Sequence, residues 1–127
     1  MSAFVLVHSP LVGPLTWSLV ADDLRGRGHD AIAPSLLDAS CAEVPYWQRH
    51  VSAVVAALDE LRVDQPLVLV AHSGAGPILP SIGQAAGRPV AGYLFVDAAL
   101  PGRDGQSRLD LFQPSWRARF REEATGG

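Results

Sequence analysis

The residue best placed to do chemistry in this chain is Ser73. The run Leu67-Val68-Leu69-Val70-Ala71 is short and apolar, the pattern of a strand buried on both faces. It passes through His72 into Ser73, and a helix-like segment follows from Gly74. This is the strand–serine–helix layout of a nucleophile elbow, a turn that holds its serine in a strained backbone conformation above the sheet. Such a turn tolerates only small residues two positions either side. Those positions hold Ala71 and Ala75, a variant of G-x-S-x-G with alanine for both glycines. The same turn aims the N–H of Gly74 at whatever Ser73 attacks, which supplies half of an oxyanion hole. The alternative is a serine in an ordinary strand-to-helix turn.

A serine so placed needs a rigid scaffold, and the rest of the chain reads as one. Strands are expected at Ala3–His8, His29–Pro34, Leu67–Ala71 and Val90–Val96. Leu15–Arg27 carries Trp17, Val20 and Leu24 at helical spacing and ends at Gly26 and Gly28. Val44–Arg62 is an amphipathic helix with Trp47, Val51, Val54, Val55, Leu58 and Leu61 on its core face. Gly74–Ala86 is the helix after the serine, bent at Pro80 or beginning late. From Pro101 to Arg121 the periodicity weakens, and Leu109, Phe112, Trp116 and Phe120 suit one broken helix or two short ones. Strands separated by helices imply a three-layer α/β/α fold around a parallel sheet of about four strands. Ligands in such sheets bind at the carboxyl ends of the strands. Those ends are His8-Ser9, Pro34-Ser35, His72-Ser73 and Asp97-Ala98, and polar residues fall at all four.

Composition narrows the function classes. The chain has 127 residues, 48% of them hydrophobic, enough for one core. No apolar run approaches the roughly 20 residues of a membrane span. A net charge of −3 with interspersed signs argues against a nucleic-acid surface. All ten basic residues are arginine. Five of them (Arg103, Arg108, Arg117, Arg119, Arg121) lie in the C-terminal quarter and read as a solvated helix face. The single cysteine, Cys41, has no internal disulfide partner, so a cytoplasmic setting is expected. No metal and no cofactor is expected. A nucleotide-binding domain is disfavoured, because no G-x-G-x-x-G or P-loop follows Val5–His8.

From about residue 3 to 101 the chain resembles the α/β-hydrolase superfamily, most closely the branch of small esterases and hydroxynitrile lyases. That branch opens with a strand ending in His, then a small residue, with Gly five and Trp nine positions after the His; here these are His8, Ser9, Gly13 and Trp17. Ala-His-Ser-Gly-Ala-Gly at 71–76 stands where the branch has Gly-His-Ser-x-Gly-Gly, and Ala33-Pro34-Ser35-Leu36 is similar to its A-P-D-L turn. The resemblance implies that residues 1–103 form the N-terminal half of a hydrolase core and residues 104–127 the start of a helical lid segment. It places the second oxyanion N–H two residues after the His, but that residue is Pro10, which has no N–H. The donor then falls to Ser9, Leu11 or a side chain, with the Ser9 hydroxyl foremost. A hydroxyl residue directly after the His often contacts substrate in this branch; the alternative is a Ser9 hydroxyl bonded within its own loop. Gly74, Ser9, Leu11 and His8 make up the expected oxyanion and substrate-binding set, although His8, like His72, reads first as a structural residue.

The resemblance also implies an acid and a base. Some relatives keep the acid after the strand that follows the elbow, and Asp97 holds that position. Its alternative is to cap the loop at Ala98–Gly102. The base is a late histidine, and no histidine follows His72. The implied activity is hydrolysis by Ser73 of an ester or thioester of a small, largely apolar acid. A second polypeptide or a homo-oligomer is expected to cover the Val90–Val96 edge and complete the site. The competing reading is a catalytically inactive binding or regulatory protein.

Overall fold

Four strands form one parallel sheet: β1 (Ala3–Val7), β2 (Ala31–Ile32), β3 (Leu67–His72) and β4 (Val90–Val96), in the spatial order β2-β1-β3-β4. The computed structural model describes residues 1–40 and 45–126; Cys41 and Val44 lie outside the described residues. A 3₁₀ turn at Pro14–Trp17 leads into α1 (Ser18–Gly26), and α2 (Leu37–Ser40) and α3 (Tyr46–Ala57) follow β2. After β3 come a 3₁₀ turn at Ser73–Ile78 and α4 (Leu79–Ala85); after β4 come a 3₁₀ turn at Arg108–Leu111 and α5 (Pro114–Thr125).

Side chains alternate across a strand, so neighbouring residues feed opposite layers. Ala3, Val5 and Val7 of β1 and Leu67, Leu69 and Ala71 of β3 are buried with Val51 and Val54 of α3 and Leu79 and Ile82 of α4. Leu6 and Val70 point the other way, onto Trp17 and Ala21. Each of these large aliphatic side chains contributes about 1.5–3 kcal/mol by leaving water. Burial on both faces is why the strands read as unbroken apolar runs.

The elements differ from their sequence patterns in four places. The second strand shortens to two residues, because only Ala31 and Ile32 find partners on β1. Trp47 shares the helical spacing of the core residues but stays half exposed, in the first turn of α3. The segment after Ser73 takes the late-starting option: Pro77 falls in a 3₁₀ turn, and the α-helix begins only at Leu79. Pro80 then sits in the first turn, where its missing N–H breaks no helical bond. The C-terminal region takes the two-helix option. There a capping box at Ser107 and Asp110 starts the short turn, and the Ser107 N–H holds the Asp110 carboxyl below the usual carboxylate range.

One flank of the sheet is thinly covered. Register pairs Val70 with Leu94 and His72 with Val96, so these β4 residues belong to the α1 face. Leu94 is 50% exposed and Val96 44%, while Leu19 on α1 is 83% exposed.

Candidate active site

The turn at the end of β3 has the expected strain. Ser73 has φ 52°, the left-handed region, which costs a residue bearing a Cβ about 1–3 kcal/mol. Ala71 and Ala75 on either side are both fully buried, so neither position has room for a larger side chain. Asp97, at the end of β4, is the other non-glycine residue with positive φ among those described, at 44°. The two strained residues are neighbours by register. His72 pairs with Val96, and Ser73 and Asp97 are the next residues on each strand. On the other side, Val7 pairs with Ala71, so Ser9 and Ser73 are each two residues further on. Adjacent strands lie about 4.8 Å apart. Ser9, Ser73 and Asp97 therefore form a row across the carboxyl ends of three neighbouring strands.

Main-chain contacts lock this row. The Ala99 N–H donates to the Ser73 carbonyl at 3.1 Å, tying the loop after β4 to the elbow. A Cβ built on Gly76 would stand 1.7 Å from the Ala99 carbonyl oxygen and 2.9 Å from its carbon. Both are backbone atoms and cannot swing aside. Gly76→Ala is expected to destabilise the fold by about 3 kcal/mol or more, above the usual range for an overpacked site. Urea unfolding would measure it, with Gly92→Ala as a control, because an added Cβ there meets nothing within 4 Å.

His8 does something other than bind substrate. It is fully buried, its Nδ1 lies 2.7 Å from the Ser9 carbonyl, and its Nε2 accepts the Leu36 N–H at 3.0 Å. A carbonyl can only accept and an amide N–H can only donate, so the proton is assigned to Nδ1 and the lone pair to Nε2. With both nitrogens engaged, the ring pins the end of β1 to the segment after β2. His8→Ala removes that acceptor and leaves a cavity, an expected loss of about 2–5 kcal/mol. A lowered midpoint in denaturant unfolding would show it.

The other expected residues are placed as follows. Ser9 is buried, and its Oγ accepts the Leu11 N–H at 3.3 Å. Leu11 itself projects into solvent. Asp97 is exposed, and its carboxylate has no hydrogen-bond or ion-pair partner among the described residues. The His72 ring stands edge-on to Trp17 with centroids 6.2 Å apart, and its Nδ1 is buried without a partner. That contact turns His72 toward α1 rather than toward its neighbour Ser73. His29 packs on Phe4 near the far end of β1, and His50 is buried on α3. A cavity of about 430 Å³ opens between α1, α3 and the free edge of β2, and none of the expected site residues lines it.

No protein-family model and no curated protein matches the chain. Solved structures do. An extracellular α/β-hydrolase from a Paenibacillus species, described as sharing structural and functional homology with tobacco salicylic acid binding protein 2, is similar over 99% of this chain and 53% of its own, with TM-score 0.77 and 24% identity. Polyneuridine aldehyde esterase is similar over 98% of this chain and 48% of its own, with TM-score 0.68 and 19% identity. Tomato methylketone synthase I, solved with 2-tridecanone, is similar over 84% of this chain and 43% of its own, with TM-score 0.63 and 19% identity. The sheet and these likenesses define the α/β-hydrolase fold. Within that fold, the chain spans about half the length of the structures it matches, the half that holds the strained serine. No helix among the described residues is long and apolar enough to cross a membrane.

Proposed function

We propose that this chain is the nucleophile-bearing half of a serine hydrolase acting on an ester or thioester of a small, largely apolar acid. The observation that carries the reading is Ser73 at φ 52° on the end of β3, between buried alanines, in an α/β-hydrolase sheet. Ser73 Oγ attacks the acyl carbon. The new Oγ–C bond forms, the C–O or C–S bond to the leaving group breaks, and the serine proton passes by way of a base to that leaving group. Water then cleaves the acyl-enzyme by the same route. Gly74 N–H stabilises the oxyanion. Asp97 is the group that orients the base, because register puts it beside Ser73 and nothing else among the described residues engages its carboxylate. The base is an imidazole from polypeptide beyond these residues. Exposed apolar side chains in the loops after β1 and β4, Leu11 and Leu100, suit an apolar acyl group.

A fluorophosphonate probe tests this directly, with added imidazole as an external base. Mass spectrometry is expected to place the adduct on the peptide containing Ser73. An adduct at Ser9 or Ser35, or none at all, overturns the assignment. The second reading, a non-catalytic binding protein, draws on the engaged rings of His8 and His72, and absence of labelling is its signature.

A further inference from the structure

The elbow supplies one oxyanion donor, and the loop after the first strand ordinarily supplies the other through a main-chain N–H. In this chain that loop has little to give. Pro10 has no N–H. The Leu11 N–H donates to Ser9 Oγ at 3.3 Å, and the Val12 N–H donates to the Ser9 carbonyl at 3.1 Å. The three positions after Ser9 thus offer no free main-chain donor toward Ser73. The Ser9 carbonyl also lies 2.7 Å from His8 Nδ1, so the loop is held from two sides.

What remains is the Ser9 hydroxyl. A serine hydroxyl has one proton to donate and lone pairs to accept with. Here the oxygen accepts from Leu11, which leaves its proton for another acceptor. Ser9 is 3% exposed, and register carries it alongside Ser73. A donor removed from water and fixed in advance is the kind that stabilises a developing oxyanion most. We propose that Ser9 Oγ–H is the second oxyanion donor of this site, standing in for the loop N–H that Pro10 lacks. The proposal rests on Ser73 being the nucleophile, and its test separates the two.

The test measures the rate at which the fluorophosphonate modifies Ser73, with added imidazole, in the full 127-residue chain. Ser9→Ala is expected to slow the reaction about 100-fold, the usual cost of losing one oxyanion donor. Ser9→Thr and Ser9→Val have nearly the same shape and differ in the hydroxyl; Thr is expected to react far faster than Val. A residue that only shaped the loop would give equal rates for that pair, which keeps the test decisive if Ser9→Ala does not fold. Ser9→Ala combined with Pro10→Ala returns a main-chain N–H and is expected to recover part of the lost rate. If Ser73 is modified at the wild-type rate in Ser9→Ala, or equally fast in the Thr and Val variants, the donor role is overturned while the nucleophile stands. If wild-type Ser73 is never modified, both fall together.

Discussion

Ser73→Ala is expected to abolish fluorophosphonate labelling and to lower any ester turnover by roughly 10³–10⁶, the range for removing a member of a unit-like catalytic group. The fold should survive the change, because the Ser73 hydroxyl has no partner among the described residues and the alanine keeps the same Cβ. Ser73→Gly sharpens the prediction. A Cβ in the left-handed region costs about 1–2 kcal/mol, and glycine escapes that cost while losing about 0.5–1 kcal/mol to chain entropy. The glycine variant should therefore be as stable as the parent or more so, and equally inert. A serine that merely ends a strand would show neither the loss of reaction nor this gain. Urea unfolding beside intact-mass analysis of the labelled protein measures both. Full labelling of Ser73→Ala would show that the reactive group lies elsewhere.

The parts of this site legible in the sequence are those set by local patterns. An apolar run ending in a small-residue turn marks the elbow, and the strain at Ser73 follows from that turn. The Val90–Val96 strand has the limits that its apolar pattern suggests. Pro77 and Pro80 explain why the following helix starts late, and both can be read from the chain. The rest is set by contacts between distant residues. The bond from the Leu36 N–H to His8 spans 28 residues and turns an expected substrate-binding histidine into a structural one. The Trp17–His72 contact fixes the direction of the His72 ring and joins residues 55 positions apart in number (72 − 17). Edge position, not composition, trims the second strand to Ala31–Ile32. Helical spacing puts Trp47 on the core face, but its place in the first turn of α3 leaves it half exposed. Pattern alone carries none of this, because a period says which side a residue faces and not whether anything stands there.

The second large effect concerns what stands beside β4. Parallel sheets are covered on both faces in stable folds, and an open apolar edge recruits another strand. Here Leu94 and Val96 are about half exposed on the α1 face, and the free side of β4 has no strand partner among the described residues. The matched hydrolases are about twice as long, so in them further chain is available to cover that flank. The same missing polypeptide answers the chemical gap, since all four histidines lie at or before residue 72 and the rings of His8 and His72 are turned to structural contacts. We therefore expect the functional unit to contain additional polypeptide that contributes at least two strands beside β4 and an imidazole near Ser73. General-base catalysis by that imidazole should raise the rate of Ser73 acylation about 10²–10⁴-fold over the chain alone. Leu94→Glu should break the association, because the partner would have to bury an unpaired carboxylate. Size-exclusion chromatography with mass analysis, run beside ester hydrolysis, decides the matter. A monodisperse 13.5 kDa monomer that hydrolyses a p-nitrophenyl ester through Ser73 would show that the site is complete without a partner. A larger particle whose activity and mass both fall with Leu94→Glu would place the missing base in the added polypeptide.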